Sequence, residues 1–132
     1  MALKLNSSGG GSVTIQEPVT TDNYTLSVPG TVTTLTDGAT ITPDFAANNV
    51  FTVTLGGNRT LANPTTPIPG QSGSIFIVQD ATGGRTLSWG SSWKFISGAA
   101  PTLSTAANAV DRVDFVVRST TSIQAVFTGN YS

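Results

Sequence analysis

Val50-Phe51-Thr52-Val53-Thr54-Leu55-Gly56-Gly57-Asn58-Arg59-Thr60-Leu61 decides how this chain is read, because a later stretch repeats its plan. That stretch is Ser74-Ile75-Phe76-Ile77-Val78-Gln79-Asp80-Ala81-Thr82-Gly83-Gly84-Arg85-Thr86-Leu87-Ser88-Trp89. In each, an alternating apolar strand meets paired glycines, passes an arginine and restarts at Thr-Leu. Alternation with β-branched residues suits a pleated, half-buried surface. Paired glycines supply the positive φ angles of tight turns, so both units are expected to be hairpins in one antiparallel sheet system. Neither unit contains a set of side chains that carries a reaction.

Working outward, the same chemistry recurs. Ser12-Val13-Thr14-Ile15-Gln16 is a short strand stopped by Glu17-Pro18, and Tyr24-Thr25-Leu26-Ser27-Val28 is another, ended by Pro29-Gly30. Asp37-Gly38 between Val32-Thr33-Thr34-Leu35 and Ala39-Thr40-Ile41-Thr42 predicts a further hairpin. Residues 43–49 link the first half to the paired units, with room for one helical turn at Ala46-Ala47. The proline-rich run from Asn63 to Gly70 blocks strand pairing and reads as a crossover between sheets, with a contact loop as the alternative. Beyond Trp89, a strand Trp93-Lys94-Phe95-Ile96 and a connection over residues 102–110 precede a final hairpin. Its strands are Arg112 to Arg118 and Ser122 to Phe127, with Val113, Phe115 and Val117 on one face. Short strands at this spacing predict an all-β antiparallel sandwich or jelly-roll-like module.

Size and charge bound the function. The 132 residues suit one domain: residues 1–11 read as a flexible N-terminal arm and 12–132 as a single β domain. Charged residues make up 10% and the net charge is -1, so no basic stripe is available for phosphates and no nucleic-acid partner is expected. The chain has neither cysteine nor histidine, which removes Ser-His-Asp and Cys-His catalysis, disulfides and the common zinc sets. No cofactor or metal is expected. Apolar runs fall far short of the ~20 residues that span a bilayer, and the start lacks the form of a secretion signal. The protein is therefore expected to be made in a cytoplasm, with no membrane partner and no enzymatic role.

Candidate sites are few. Trp89 and Trp93 flank a Gly-Ser-Ser turn and could form an aromatic platform for a sugar, although core packing is the commoner use. Asp111, Arg112 and Asp114 could make an acid/base pair or calcium site; a cross-strand or intersubunit ion pair is favoured. Arg59 and Arg85 occupy equivalent places and are expected to brace their turns. In the arm, Leu3 and Leu5 around Lys4 could add to a partner's sheet edge.

The opening from Leu5-Asn6-Ser7-Ser8-Gly9-Gly10-Gly11 to Glu17-Pro18, with Tyr24-Thr25-Leu26-Ser27-Val28-Pro29, resembles a segment of tailed-bacteriophage structural proteins. Gly83-Gly84-Arg85-Thr86-Leu87-Ser88-Trp89-Gly90 and Asp111-Arg112-Val113-Asp114-Phe115 resemble stretches of phage fibre and capsid-decoration proteins. The resemblance implies a homotrimeric β module on the virion surface. A chain with one arm and one domain leaves no room for a fibre shaft. The first expectation is therefore a capsid decoration, or cement, protein on the outer capsid surface. It would stabilise the shell and bind the major capsid protein through Ala2, Leu3, Lys4, Leu5 and Asn6. The alternative is a trimeric tail or head fibre module that binds a host-surface glycan or receptor, with Trp89 and Trp93 as ligand surface.

Overall fold

The computed structural model describes Ala2–Asn6, Ser12–Gln16 and residues 30–131. Ala2–Asn6 (β1) and Ser12–Gln16 (β2) pair antiparallel, Leu3 opposite Ile15 and Leu5 opposite Val13, as a two-stranded sheet. The segment read as an arm thus includes a paired strand. Tyr24 to Val28, predicted as a strand, lies outside the described residues.

The rest is all-β, built on two sheets. The strands in chain order are Thr33–Thr34 (β3), Thr40–Ile41 (β4), Val50–Leu55 (β5), Arg59–Leu61 (β6), Ser72–Gln79 (β7), Leu87–Trp89 (β8), Trp93–Lys94 (β9), Val110–Ser119 (β10) and Ser122–Thr128 (β11). A six-stranded sheet runs β3-β5-β7-β10-β11-β9, and a three-stranded sheet runs β4-β6-β8. The chain visits them alternately: β3, β5 and β7 lie parallel in the first, while β4, β6 and β8 lie parallel in the second. Each strand–turn–strand unit is therefore one rung of a short parallel stack.

This corrects the hairpin expectation. Gly56-Gly57, Gly83-Gly84 and Asp37-Gly38 are corners that carry the chain from one sheet to the other, so neither repeated unit pairs with itself. The physical reason is local satisfaction of polar groups between rungs. Arg59 N–H donates to the Thr86 carbonyl (2.9 Å), Thr60 N–H to that of Ala39 (3.0 Å) and Ala62 N–H to that of Ile41 (2.8 Å). Side-chain amides close the corners. Buried Gln79 donates to the Arg85 carbonyl (2.9 Å) and accepts the Arg85 N–H (2.8 Å). Buried Asn48 donates to the Thr31 carbonyl (2.6 Å) and the Thr33 hydroxyl (3.0 Å), tying one rung to the next. The proline run is a crossover, joining β6 in one sheet to β7 in the other, and Thr65 within it forms an isolated parallel bridge with Asp44.

Among the described residues, the antiparallel contacts of the six-stranded sheet are β7 with β10 and β10 with β11. Their inward positions continue the rungs sideways: Thr33, Phe51, Ile75 and Val113 lie in one row. Opposite them stands the row Ile41, Leu61 and Trp89. Phe45 fills the space between. Its ring stacks on Phe115 (centroids 4.5 Å apart) and on Phe51 (5.9 Å), and meets Trp93 edge-on (6.2 Å). Gly73 has no room for a side chain, because a Cβ there would meet the Asn49 carbonyl oxygen and the Phe115 ring. Trp93-Lys94 is shorter than its predicted strand, since Ile96–Gly98 forms a 3-10 turn with Ser97 and Gly98 at positive φ. The connection before β10 holds no helix; Asn108 turns it at φ 60°.

Candidate functional site

Burying one face of the six-stranded sheet leaves the other to solvent, and register decides what it shows. Ser72, Val116, Gln124 and Lys94 form one row across β7, β10, β11 and β9. Ser74, Asp114 and Val126 form the next. These are the positions alternate to the buried Val113, Phe115, Val117, Ile123 and Ala125. Beyond the edge strand β9, Phe95 and Ile96 close the side, enclosing an open groove of ≈ 780 Å³. Ile96 is 75% exposed, Val126 52% and Val116 51%. Large aliphatic groups gathered on one open face mark a binding surface more often than scattered single ones do.

Polar groups line one side of this apolar floor. Asp114 accepts from the Ser74 hydroxyl (2.6 Å) and from Arg112 Nε (3.0 Å), and pairs with Arg112 Nη2 at 2.9 Å. The Arg112 guanidinium also lies over the Tyr131 ring, 5.1 Å from its centroid. Lys94 Nζ donates to the Ser91 carbonyl (2.6 Å), and Gln124 is exposed at the floor. Donors and acceptors around an apolar floor give orientation and affinity to an amphipathic ligand. Among the described residues, no group of three or more His, Cys, Asp or Glu is placed to hold a metal.

The residues singled out from sequence are distributed differently. Trp93 is 5% exposed; its indole N–H donates to the Ala62 carbonyl (3.0 Å) and its ring meets Phe45, Phe115 and Trp89 edge-on. Trp89 is half-buried against Phe95, 4.8 Å between centroids. Core packing accounts for Trp93, which offers no open ring face. Asp111 is buried and accepts backbone N–H groups from Ser104 (2.8 Å) and Asn130 (2.9 Å), fastening the loop before β10 and the C-terminal segment. Asp114 and Arg112 pair along one strand, where a cross-strand or intersubunit pair was expected. Two residues apart on β10, they share a face.

Both turn arginines brace corners. Arg59 makes a two-pronged contact with Asp37, Nε to Oδ1 at 2.8 Å and Nη2 to Oδ2 at 2.7 Å, reaching from the second rung to the corner of the first. Hydrogen bonding to Arg59 holds the Asp37 carboxyl below its ordinary range, and the same hydrogen bond to Asp37 raises Arg59. Arg85 grips Asp80 within the third corner (Nη2 to Oδ2, 2.7 Å), and that hydrogen bond lowers Asp80. The groove itself was missed from the sequence. Its available signal was apolar Val116 and Val126 in the outward phase of two strands whose inward phase is already apolar.

Residues 41–122, more than half of the chain, match the family model described as "Putative phage tail fibre C-terminal domain". No curated protein matches the chain, and no solved structure matches it. The matched span runs from β4 through all but the last strand, so it takes in the second and third rungs and most of the groove wall.

Proposed function

The chain belongs to this phage tail fibre C-terminal domain family, a structural component of the virion, and on that premise we propose that it is a fibre module that binds a host-surface receptor in the groove over β10 and β11. The carrying observation is the family match, which supports the fibre alternative; the capsid-decoration expectation gains no support from it. A glycan is the class that suits the groove. Its apolar sugar face would rest on Val116, Val126 and Ile96, while hydroxyls meet Gln124, Ser72 and Lys94. We further propose that the module works as a homotrimer, which multiplies a weak single-site affinity by linking several sites.

The test is adsorption of the purified chain to host cells, or to surface glycan released from them. Val126→Arg with Gln124→Ala removes one floor contact and one polar contact, worth together about 1.5–3 kcal/mol and so roughly ten- to a hundredfold in affinity. Unchanged circular dichroism alongside that loss would support the groove; unchanged adsorption would sink it. A solution mass of three 13.5 kDa chains is the outcome expected of the trimer.

A further inference from the structure

The charges of the described side chains divide into pairs and a remainder. Arg59 pairs with Asp37, Arg85 with Asp80 and Arg112 with Asp114. Lys94 and Arg118 remain, and no carboxylate among the described residues lies against either. The acids left over are engaged elsewhere. Asp111 is buried on the Ser104 and Asn130 N–H groups, and Asp44 accepts from the Thr65 hydroxyl and the Ala46 N–H ahead of β5. Although the chain's net charge is -1, both surplus cations fall on one face.

That face is the outer side of the six-stranded sheet, where the groove lies. Lys94 on β9 stands opposite Gln124, which stands opposite Val116 on β10. Arg118 follows Val116 by two residues in the same outward phase, and both cations are exposed. Val117 faces Ile123 and Ser119 faces Ser122, so Arg118 is the bulged residue, with nothing opposite it on β11. The two cations mark one end of the groove. Toward the other end, Asp114 is the only carboxylate among the described residues that lines it, and Arg112 offsets its charge. Lys94 and Arg118 also have donors to spare. The Ser91 carbonyl takes one of the three ammonium N–H groups of Lys94, and among the described residues nothing accepts from the Arg118 guanidinium.

On the reading of this groove as a glycan site, we infer that its ligand is an acidic polysaccharide, with Lys94 and Arg118 each meeting a sugar carboxylate. Charge complementarity carries the choice: the free charge beside the groove is positive, and its one carboxylate is already paired. The spacing selects the kind of anion. Two strand steps of about 4.8 Å and two residues of about 3.4 Å along β10 put the two Cα atoms roughly 12 Å apart. That separation suits singly charged groups recurring along a polymer, whereas a dianionic phosphate calls for cations converging on one point. The apolar floor of Val116, Val126 and Ile96 then carries the sugar rings between the charged contacts.

The test titrates the purified chain against surface polysaccharide released from host cells in three forms: native, with its carboxyl groups reduced to alcohols, and with its phosphate removed. The native polymer should bind about tenfold more tightly than the carboxyl-reduced one, as two exposed ion pairs would give. That preference should vanish in the Lys94→Gln, Arg118→Gln double variant, whose circular dichroism should be unchanged because both residues are exposed. Equal affinity for native and carboxyl-reduced polymer, or a preference that persists in the double variant, overturns the inference while leaving the groove as a glycan site. A loss of affinity on removing phosphate in place of carboxylate overturns it too. Binding to none of the three polymers overturns the glycan reading itself, and this inference with it.

Discussion

Replacing Phe45 with alanine tests whether one ring joins the two sheets. From sequence, Phe45 sits in a linker of no distinction; in the fold it is 1% exposed and touches three aromatic rings from three elements. Phe→Ala in a core costs about 3–5 kcal/mol, and each well-placed ring pair adds roughly 0.5–1.5 beyond area. Here the upper end applies. Phe51 and Phe115 belong to hydrogen-bonded central strands that cannot collapse into the space, so about 4–5 kcal/mol is expected. At roughly 2.1 cal/mol/K per residue, unfolding entropy for 132 residues is about 0.28 kcal/mol/K, so the melting temperature should fall by about 16 °C. Urea unfolding followed by tryptophan fluorescence, with calorimetry beside it, reads both numbers. Phe95→Ala is the internal comparison, because Phe95 is only half-buried and, among the described rings, meets Trp89 alone, edge-on. A loss below about 1.5 kcal/mol for Phe45→Ala, or one no larger than that for Phe95→Ala, would refute the reasoning.

Three further outcomes follow from side chains already placed. Asp37 and Asp80 are held below their ordinary range, so their stabilisation is fully present above the unfolded value near about pH 4 and is lost as pH falls through the folded values. Melting temperature should therefore drop on acidification below about pH 4, and the drop should shrink in the Asp37→Asn, Asp80→Asn double variant. Asp111→Ala removes the buried acceptor shared by the Ser104 and Asn130 backbone N–H groups and should cost about 1–3 kcal/mol, with faster exchange at both amides; Asp111→Asn keeps one acceptor and should cost less. Gly73→Ala, which drives a methyl into the Asn49 carbonyl and the Phe115 ring, should destabilise by more than about 2 kcal/mol in the same urea assay. Gly30→Ala, in open space, should change stability little.

Much of the fold was legible because alternation writes itself plainly. Strands β5, β7, β10 and β11 fall where period-two patterning puts them, and Val113, Phe115 and Val117 face the core together. The repeat of strand, glycine pair, arginine and Thr-Leu was also visible. Its meaning was not, because a Gly-Gly corner and a Gly-Gly hairpin demand the same φ freedom. The difference lies in whether the next strand pairs with the one before it or with one from about twenty residues earlier. That choice is made by long-range partners such as Ala39 with Thr60, and by the Asp37–Arg59 contact. The candidate groove was hidden for a related reason. Val116 and Val126 read as ordinary strand residues until register shows them on one open face beside Ile96. Trp93 drew attention by its size, yet size is what the core uses.

The central claim is that this chain serves the phage as a fibre module, and electron cryomicroscopy of purified virions tests it most directly. The account predicts density for the two-sheet stack at the distal end of a tail fibre, three copies around one axis, with the groove over β10 and β11 turned outward. Density spread over the capsid lattice, with residues 2–6 reaching onto the major capsid protein, would contradict it and establish the decoration role.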